Sequence, residues 1–114
     1  MLSIVTATLS ISYNCELALA TDFNPGTCTI RSLSNIMFLS INYCGLSIDE
    51  AFKAVTYNAA KALKIHDKVG LIKEKYKADF IIWDIESINE IPYWFDASNT
   101  KIYKIFKKGK EINP

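Results

Sequence analysis

The side chains best suited to chemistry lie together in Ala20-Thr21-Asp22-Phe23-Asn24-Pro25-Gly26-Thr27. An apolar run, Leu17 to Ala20, leads into a carboxylate, then an amide, a glycine and a hydroxyl. A carboxylate can hold a cation or carry a proton, and the other three can hold a small polar substrate. Asn24 to Thr27 suits a type II turn: Pro25 presets φ at the second position and Gly26 accepts positive φ at the third. Such a turn would gather Asp22, the Asn24 amide, the Gly26 N–H and the Thr27 hydroxyl around one small volume. Two readings stand on turn chemistry alone. One is the acid of an α/β enzyme, presented at the carboxyl end of a buried strand. The other is an ordinary strand-to-loop turn whose Asp22 caps nearby backbone.

The elements that must position these residues fall into three blocks. Leu17 to Ala20, bounded by Asn14 and the Asn24-Pro25-Gly26 turn, is expected to be a buried strand of a parallel sheet or barrel with no exposed face. Arg31 to Tyr43 is expected to be a helix, with Ile30, Leu33, Met37, Ile41 and Cys44 at three-to-four spacing and Gly45 ending it. Ser47-Ile48-Asp49-Glu50 spells a capping box. It opens a second helix whose stripe, Ile48, Phe52, Val55, Ala59, Ala62 and Leu63, continues to about Lys64. Beyond His66 the runs Val69–Ile72, Phe80–Trp83 and Ile102–Phe106 are rich in strand formers, and Lys108-Gly109 reads as a turn into a last short strand. Residues 87–100 form a long connection whose aromatics, Tyr93, Trp94 and Phe95, are expected to anchor it to a core rather than touch a ligand.

Composition narrows the function classes. The 114 residues are half hydrophobic and 22% charged, with a net charge of +1, which is a globular balance for one modest domain or part of a larger one. Residues 1–60 hold two basic against four acidic side chains, and residues 61–114 hold eleven lysines against eight acids. The lysines are scattered and face no aromatic platform, so no nucleic-acid partner is expected. Cys15, Cys28 and Cys44 have no paired spacing and read as thiols of a reducing compartment. The first dozen residues lack a basic start, and no run approaches the roughly 20 apolar residues of a membrane span. A soluble cytoplasmic protein without a membrane partner is the expectation. One buried strand with no neighbour in the chain would leave backbone groups unpaired, so the chain reads as the end of something larger.

With those residues set out, the chain resembles the carboxyl-terminal part of the imidazolonepropionase family, within the amidohydrolase superfamily. The resemblance runs from about Glu16 to Ile112. Its most specific element is Ala18 through Thr27, centred on D-F-N-P-G-T. A second element is the superfamily tail: Thr56-Tyr57-Asn58-Ala59-Ala60-Lys61-Ala62-Leu63, Gly70, then Ala78-Asp79-Phe80-Ile81-Ile82-Trp83-Asp84.

The resemblance implies an α/β fold: the last strand and helices of a metal-dependent (β/α)₈ barrel over residues 1–66, and part of a composite β-sandwich over residues 67–114. It implies that Asp22 ligates a single divalent metal, zinc or iron, and carries the catalytic proton. Asn24, Gly26 and Thr27 match positions that contact substrate. The implied reaction is hydrolysis of the ring amide of imidazolone-propanoate to N-formimidoyl-glutamate in histidine degradation, by an enzyme that is a homodimer. The remaining metal ligands of the family lie upstream of anything in this sequence, so the chain is expected to be inactive alone. His66 falls where the family has no ligand and reads as a surface or helix-terminal residue. Lys64 and Lys75 replace favoured glycines and would be costly if φ is positive there. Two alternatives stay open: another amidohydrolase acting on a cyclic amide or as a deaminase, and a non-catalytic remnant serving as an interaction module.

Overall fold

The computed structural model describes residues 15–113. The expectations for the first dozen residues lie outside that range. Helix α1 spans Leu33–Cys44 and is ended by Gly45, whose φ of 74° turns the chain left-handed. No atom crowds a Cβ at that position, so its dihedral is the reason for glycine. The stripe expected from the spacing makes up part of the buried face of α1: Met37 lies in the core, with Ile41 and Cys44 packed against it. Ser34, Asn35, Met37 and Ser40 are buried, while Leu33 is exposed.

Helix α2, Ile48–Val55, opens with the expected capping box. The Ser47 hydroxyl accepts from the Glu50 N–H at 3.3 Å, and a Glu50 carboxylate oxygen accepts from the Ser47 N–H at 2.8 Å. The long helix expected from here does not run through. Thr56, at φ −116° and ψ −92°, interrupts it, and α3 restarts over Tyr57–Ala62. The Thr56 hydroxyl donates to the Phe52 carbonyl at 2.7 Å, an alternative bond that a β-branched hydroxyl offers at a helix end. Leu63, the end of the expected stripe, is 70% exposed. The core joins Met37, Leu46 and Ala51, with Leu17, Leu19, Ile41, Phe52 and Val55 packed around them.

Leu17–Ala20 is not a strand among the described residues. It keeps a period of two, with Leu17, Leu19 and Thr21 half-buried and Ala18, Ala20 and Asp22 exposed. The expectation of no exposed face is therefore corrected. A strand needs another strand's backbone, and this segment instead bonds to the helices. The Leu19 N–H donates to the Ala54 carbonyl at 3.0 Å, and the Asn58 side chain donates to the Leu17 carbonyl at 2.8 Å.

Val69–Ile72 is also not a strand. Gly70, at φ 94°, folds back against the start of α3, and this close approach displaces the extended conformation expected there. Strands β1 (Phe80–Trp83), β2 (Ile102–Lys107) and β3 (Lys110–Ile112) form an antiparallel sheet in that order. Phe80 pairs with Phe106, and their rings stack at 4.7 Å. The β2–β3 turn is Lys108-Gly109, both at positive φ (52° and 75°), which matches the twist of a two-residue hairpin. The connection from β1 to β2 carries a short helix, α4 (Glu90–Tyr93), and a 3₁₀ turn at Ser98–Lys101. It docks on α1 through buried Ile91, the Phe95 ring 5.1 Å from Phe38, and the Asp96 N–H donating to Asn35 at 3.0 Å. Phe95 thus anchors as expected, whereas Tyr93 points outward at 68% exposure. No helix of the described residues is long and apolar enough to cross a membrane.

Candidate functional site

The loop from Thr21 to Cys28 is organised by one side chain. Asn24 Oδ1 accepts from the Gly26 N–H at 2.9 Å, the Thr27 N–H at 2.8 Å and the Thr27 hydroxyl at 3.2 Å. Asn24 Nδ2 donates to the Asp22 carbonyl at 2.7 Å. The Asn24 N–H donates to the Cys28 carbonyl at 2.9 Å, closing the loop at its base, and the Cys28 thiol donates to the Thr21 carbonyl at 3.1 Å. Asn24, Gly26 and Thr27 are therefore brought together, as expected.

The means differ from the expected type II turn. Gly26 is not at positive φ, because the asparagine side chain stands in for the backbone turn. The residue in left-handed conformation is Asp22, at φ 51°. Aspartate is among the few side chains that tolerate this region. The Asp22 side chain is exposed, and no hydrogen bond or ion pair engages its carboxylate among the described residues. The capping reading of Asp22 therefore has no bond to support it.

Three further residues shape the loop and were not singled out by sequence reasoning. Arg31 lies over the Phe23 ring at 5.3 Å. Cys28 fixes the base. Asn58 holds Leu17, five residues before Asp22. For Asn58 the signal was present in the tail motif, but its role there depends on a contact 41 residues away in sequence.

An aspartate oxygen suits a divalent cation, and in that respect Asp22 fits as one ligand. A mononuclear centre needs three or four protein donors, and the described residues contain no cluster of three or more histidine, cysteine or acidic side chains that could hold a metal. His66 is not near enough to any such set to form one. It lies just beyond α3, half-buried with its ring edge against Tyr57 at 6.1 Å, and its Nδ1 has no partner. A cleft of about 800 Å³ lies between the helices and the sheet, lined by Met37, Phe52, Val55, Gly70, Phe80 and Ile91 among others. None of the loop residues lines it, so the cleft and the candidate site are separate places.

Residues 9–112 match the model of the amidohydrolase family. The chain is 40% identical over 102 residues to an imidazolonepropionase of Kosmotoga olearia, covering 90% of this chain and 25% of that protein. It is 43% identical over 82 residues to an imidazolonepropionase of Psychromonas ingrahamii, covering 72% of this chain and 20% of that protein. A solved amidohydrolase from Thermotoga maritima superposes with a TM-score of 0.70 at 19% identity, covering 96% of this chain and 26% of that one. The chain spans about a quarter of the length of the curated relatives it matches.

Proposed function

The chain belongs to the amidohydrolase family, and from that premise we propose that it supplies the carboxyl-terminal part of an imidazolonepropionase. In this reading residues 1–66 contribute the last strand and helices of a (β/α)₈ barrel, and residues 67–114 contribute part of a β-sandwich. The barrel would place Asp22 where such folds gather catalytic groups, at the carboxyl end of a strand. The segment's period-two burial is consistent with a strand once neighbours are beside it. The substrate is imidazolone-propanoate and the product N-formimidoyl-glutamate, in a cytoplasmic enzyme that assembles as a homodimer.

The observation that carries the reading is the Asp22 loop. An exposed carboxylate, unengaged among the described residues, sits beside a turn that the Asn24 side chain ties together. Asp22 would hold one side of a single zinc or iron ion. The chemistry such an ion would supply, when bound, is a bound water acidified towards a pKa of about 7. The Asp22 carboxylate would accept that water's proton and return it to the leaving nitrogen. The second Asn24 Nδ2 hydrogen, the Gly26 backbone and the Thr27 hydroxyl would orient the ring amide and the propanoate. The remaining ligands must come from outside the described residues, so the chain alone would be inactive.

The test is complementation. The 114-residue chain is combined with the remaining three quarters of the Kosmotoga olearia relative and assayed on imidazolone-propanoate. Turnover that requires zinc or iron and is lost in Asp22→Asn is the expected result. Turnover only on a different cyclic amide would replace this substrate with another of the superfamily. Stoichiometric zinc or iron on the 114-residue chain by itself would contradict the incomplete site.

A further inference from the structure

The interruption at Thr56 frees a backbone carbonyl that an unbroken helix would keep to itself, and a side-chain amide lies beside it. In a continuous helix the Ala54 carbonyl would accept from the Asn58 N–H, four residues on. Here it accepts from the Leu19 N–H at 3.0 Å. Asn58, in the first turn of α3, reaches across to the Leu17 carbonyl at 2.8 Å. One turn later, Lys61 pairs with Glu16. In an extended segment the carbonyl of one residue and the N–H two residues on lie on the same edge. Leu17 and Leu19 therefore offer one edge, and the break answers it with one donor and one acceptor.

Gly70 holds this arrangement from behind. A Cβ there would lie 2.9 Å from Ala60 Cβ, 3.1 Å from Tyr57 Cα and 3.2 Å from the Thr56 carbonyl oxygen. The family-tail residues Thr56 to Ala60 and Gly70 thus form one device, directed at the segment that carries Asp22. Asn58 is only 9% exposed, and its Oδ1 is buried without a partner. A buried acceptor left unpaired opposes folding and offsets part of what the bond to Leu17 contributes.

We propose that Asn58 is a positioning residue for Asp22, fixing the height and register of the Leu17–Asp22 segment through the Leu17 carbonyl. The metal arm of this inference rests on the reading of Asp22 as a ligand. Asn58 does not touch substrate or metal; it acts through the backbone that carries the ligand.

Two variants test it in the full chain and in the complemented enzyme. Asn58→Leu removes the donor at similar volume, and Asn58→Asp keeps the shape but sets an acceptor against the Leu17 carbonyl. In the 114-residue chain, hydrogen exchange at the Leu19 amide is expected to quicken about tenfold in both. In the complemented enzyme, zinc affinity is expected to fall about tenfold. There kcat should fall with it, while KM for imidazolone-propanoate stays within about twofold. If Asn58→Leu does not assemble, the Asn58→Asp enzyme and the exchange rates decide. Unchanged exchange, or unchanged zinc affinity and kcat while Asp22→Asn is inactive, overturns the positioning role alone. Full metal binding and turnover in Asp22→Asn would instead overturn the ligand reading, and with it the metal arm.

Discussion

Asn24 donates its side-chain N–H to the carbonyl of Asp22 at 2.7 Å, from the same amide whose oxygen gathers Gly26 and Thr27. The carboxylate and the turn beside it are therefore one unit, and disturbing the turn disturbs the backbone of the acid. Asn24→Ala removes all of these bonds. In an exposed loop their combined net value is about 1–2 kcal/mol. Urea unfolding should show that loss, and the Gly26 and Thr27 amides should exchange at rates near those of unprotected backbone. Retained protection at both amides would show that the loop does not depend on Asn24.

Gly70→Ala should be among the most damaging small changes in the chain. The residue sits at φ 94°, and the added methyl would meet Ala60, Tyr57 and the Thr56 carbonyl inside contact distance. The left-handed conformation and overpacking together cost about 2–4 kcal/mol. A shift of less than about 0.5 kcal/mol in unfolding free energy would show that the turn after α3 relaxes freely.

Lys64 and Lys75 do take the conformation that their replacement of glycine implied, with φ of 58° and 69°. Lys64→Gly and Lys75→Gly should each stabilise the chain by about 1 kcal/mol, since glycine adopts this region without a Cβ clash. Among the described residues no hydrogen bond or ion pair joins the two sites, so their effects should add in the double variant. Denaturant midpoints of the two single variants and the double variant check both statements.

Acid should loosen the β2–β3 hairpin. The Lys107 ammonium, and then the Lys108 N–H, hold the Asp79 carboxyl below its ordinary value of 3.8. Its contribution is present above that ordinary value and is lost as pH falls through the lowered folded-state value. Asp79 accepts at 2.7 Å from both Lys107 Nζ and the Lys108 N–H, and Lys108 is itself at φ 52°. Amide exchange at Lys108 should therefore rise as pH falls below 3.8, after correction for intrinsic rates. Asp79→Asn should flatten that dependence.

What the sequence made legible was local. The capping box at Ser47 and Glu50, the stop at Gly45 and the Lys108-Gly109 hairpin all rest on bonds within a few residues, and each stands where expected. The misplaced features depend on distant partners. The helix stripe reads continuously through Thr56, yet Leu19 takes the Ala54 carbonyl and the ladder breaks. Val69–Ile72 has the composition of a strand, but Gly70 is pressed against α3. Leu17–Ala20 has strand periodicity without a strand beside it among the described residues. The membership of the loop, Asp22, Asn24, Gly26 and Thr27, was visible in the motif. Its mechanism was not, because Asn24 does by side chain what Pro25 and Gly26 were expected to do by backbone.

The broken helix also has a consequence of parity. Its two bonds to the Leu17–Leu19 edge are two residues apart, so they accept only one phase of an alternating segment. A slip of one residue would exchange the faces, turning Ala18 and Ala20 inward and sending Leu17, Leu19 and Thr21 out. Asp22 belongs to the same alternation as Ala18 and Ala20. The interruption at Thr56 thus acts as a selector between two mirror settings of the segment, and only one of them leaves the carboxylate facing outward.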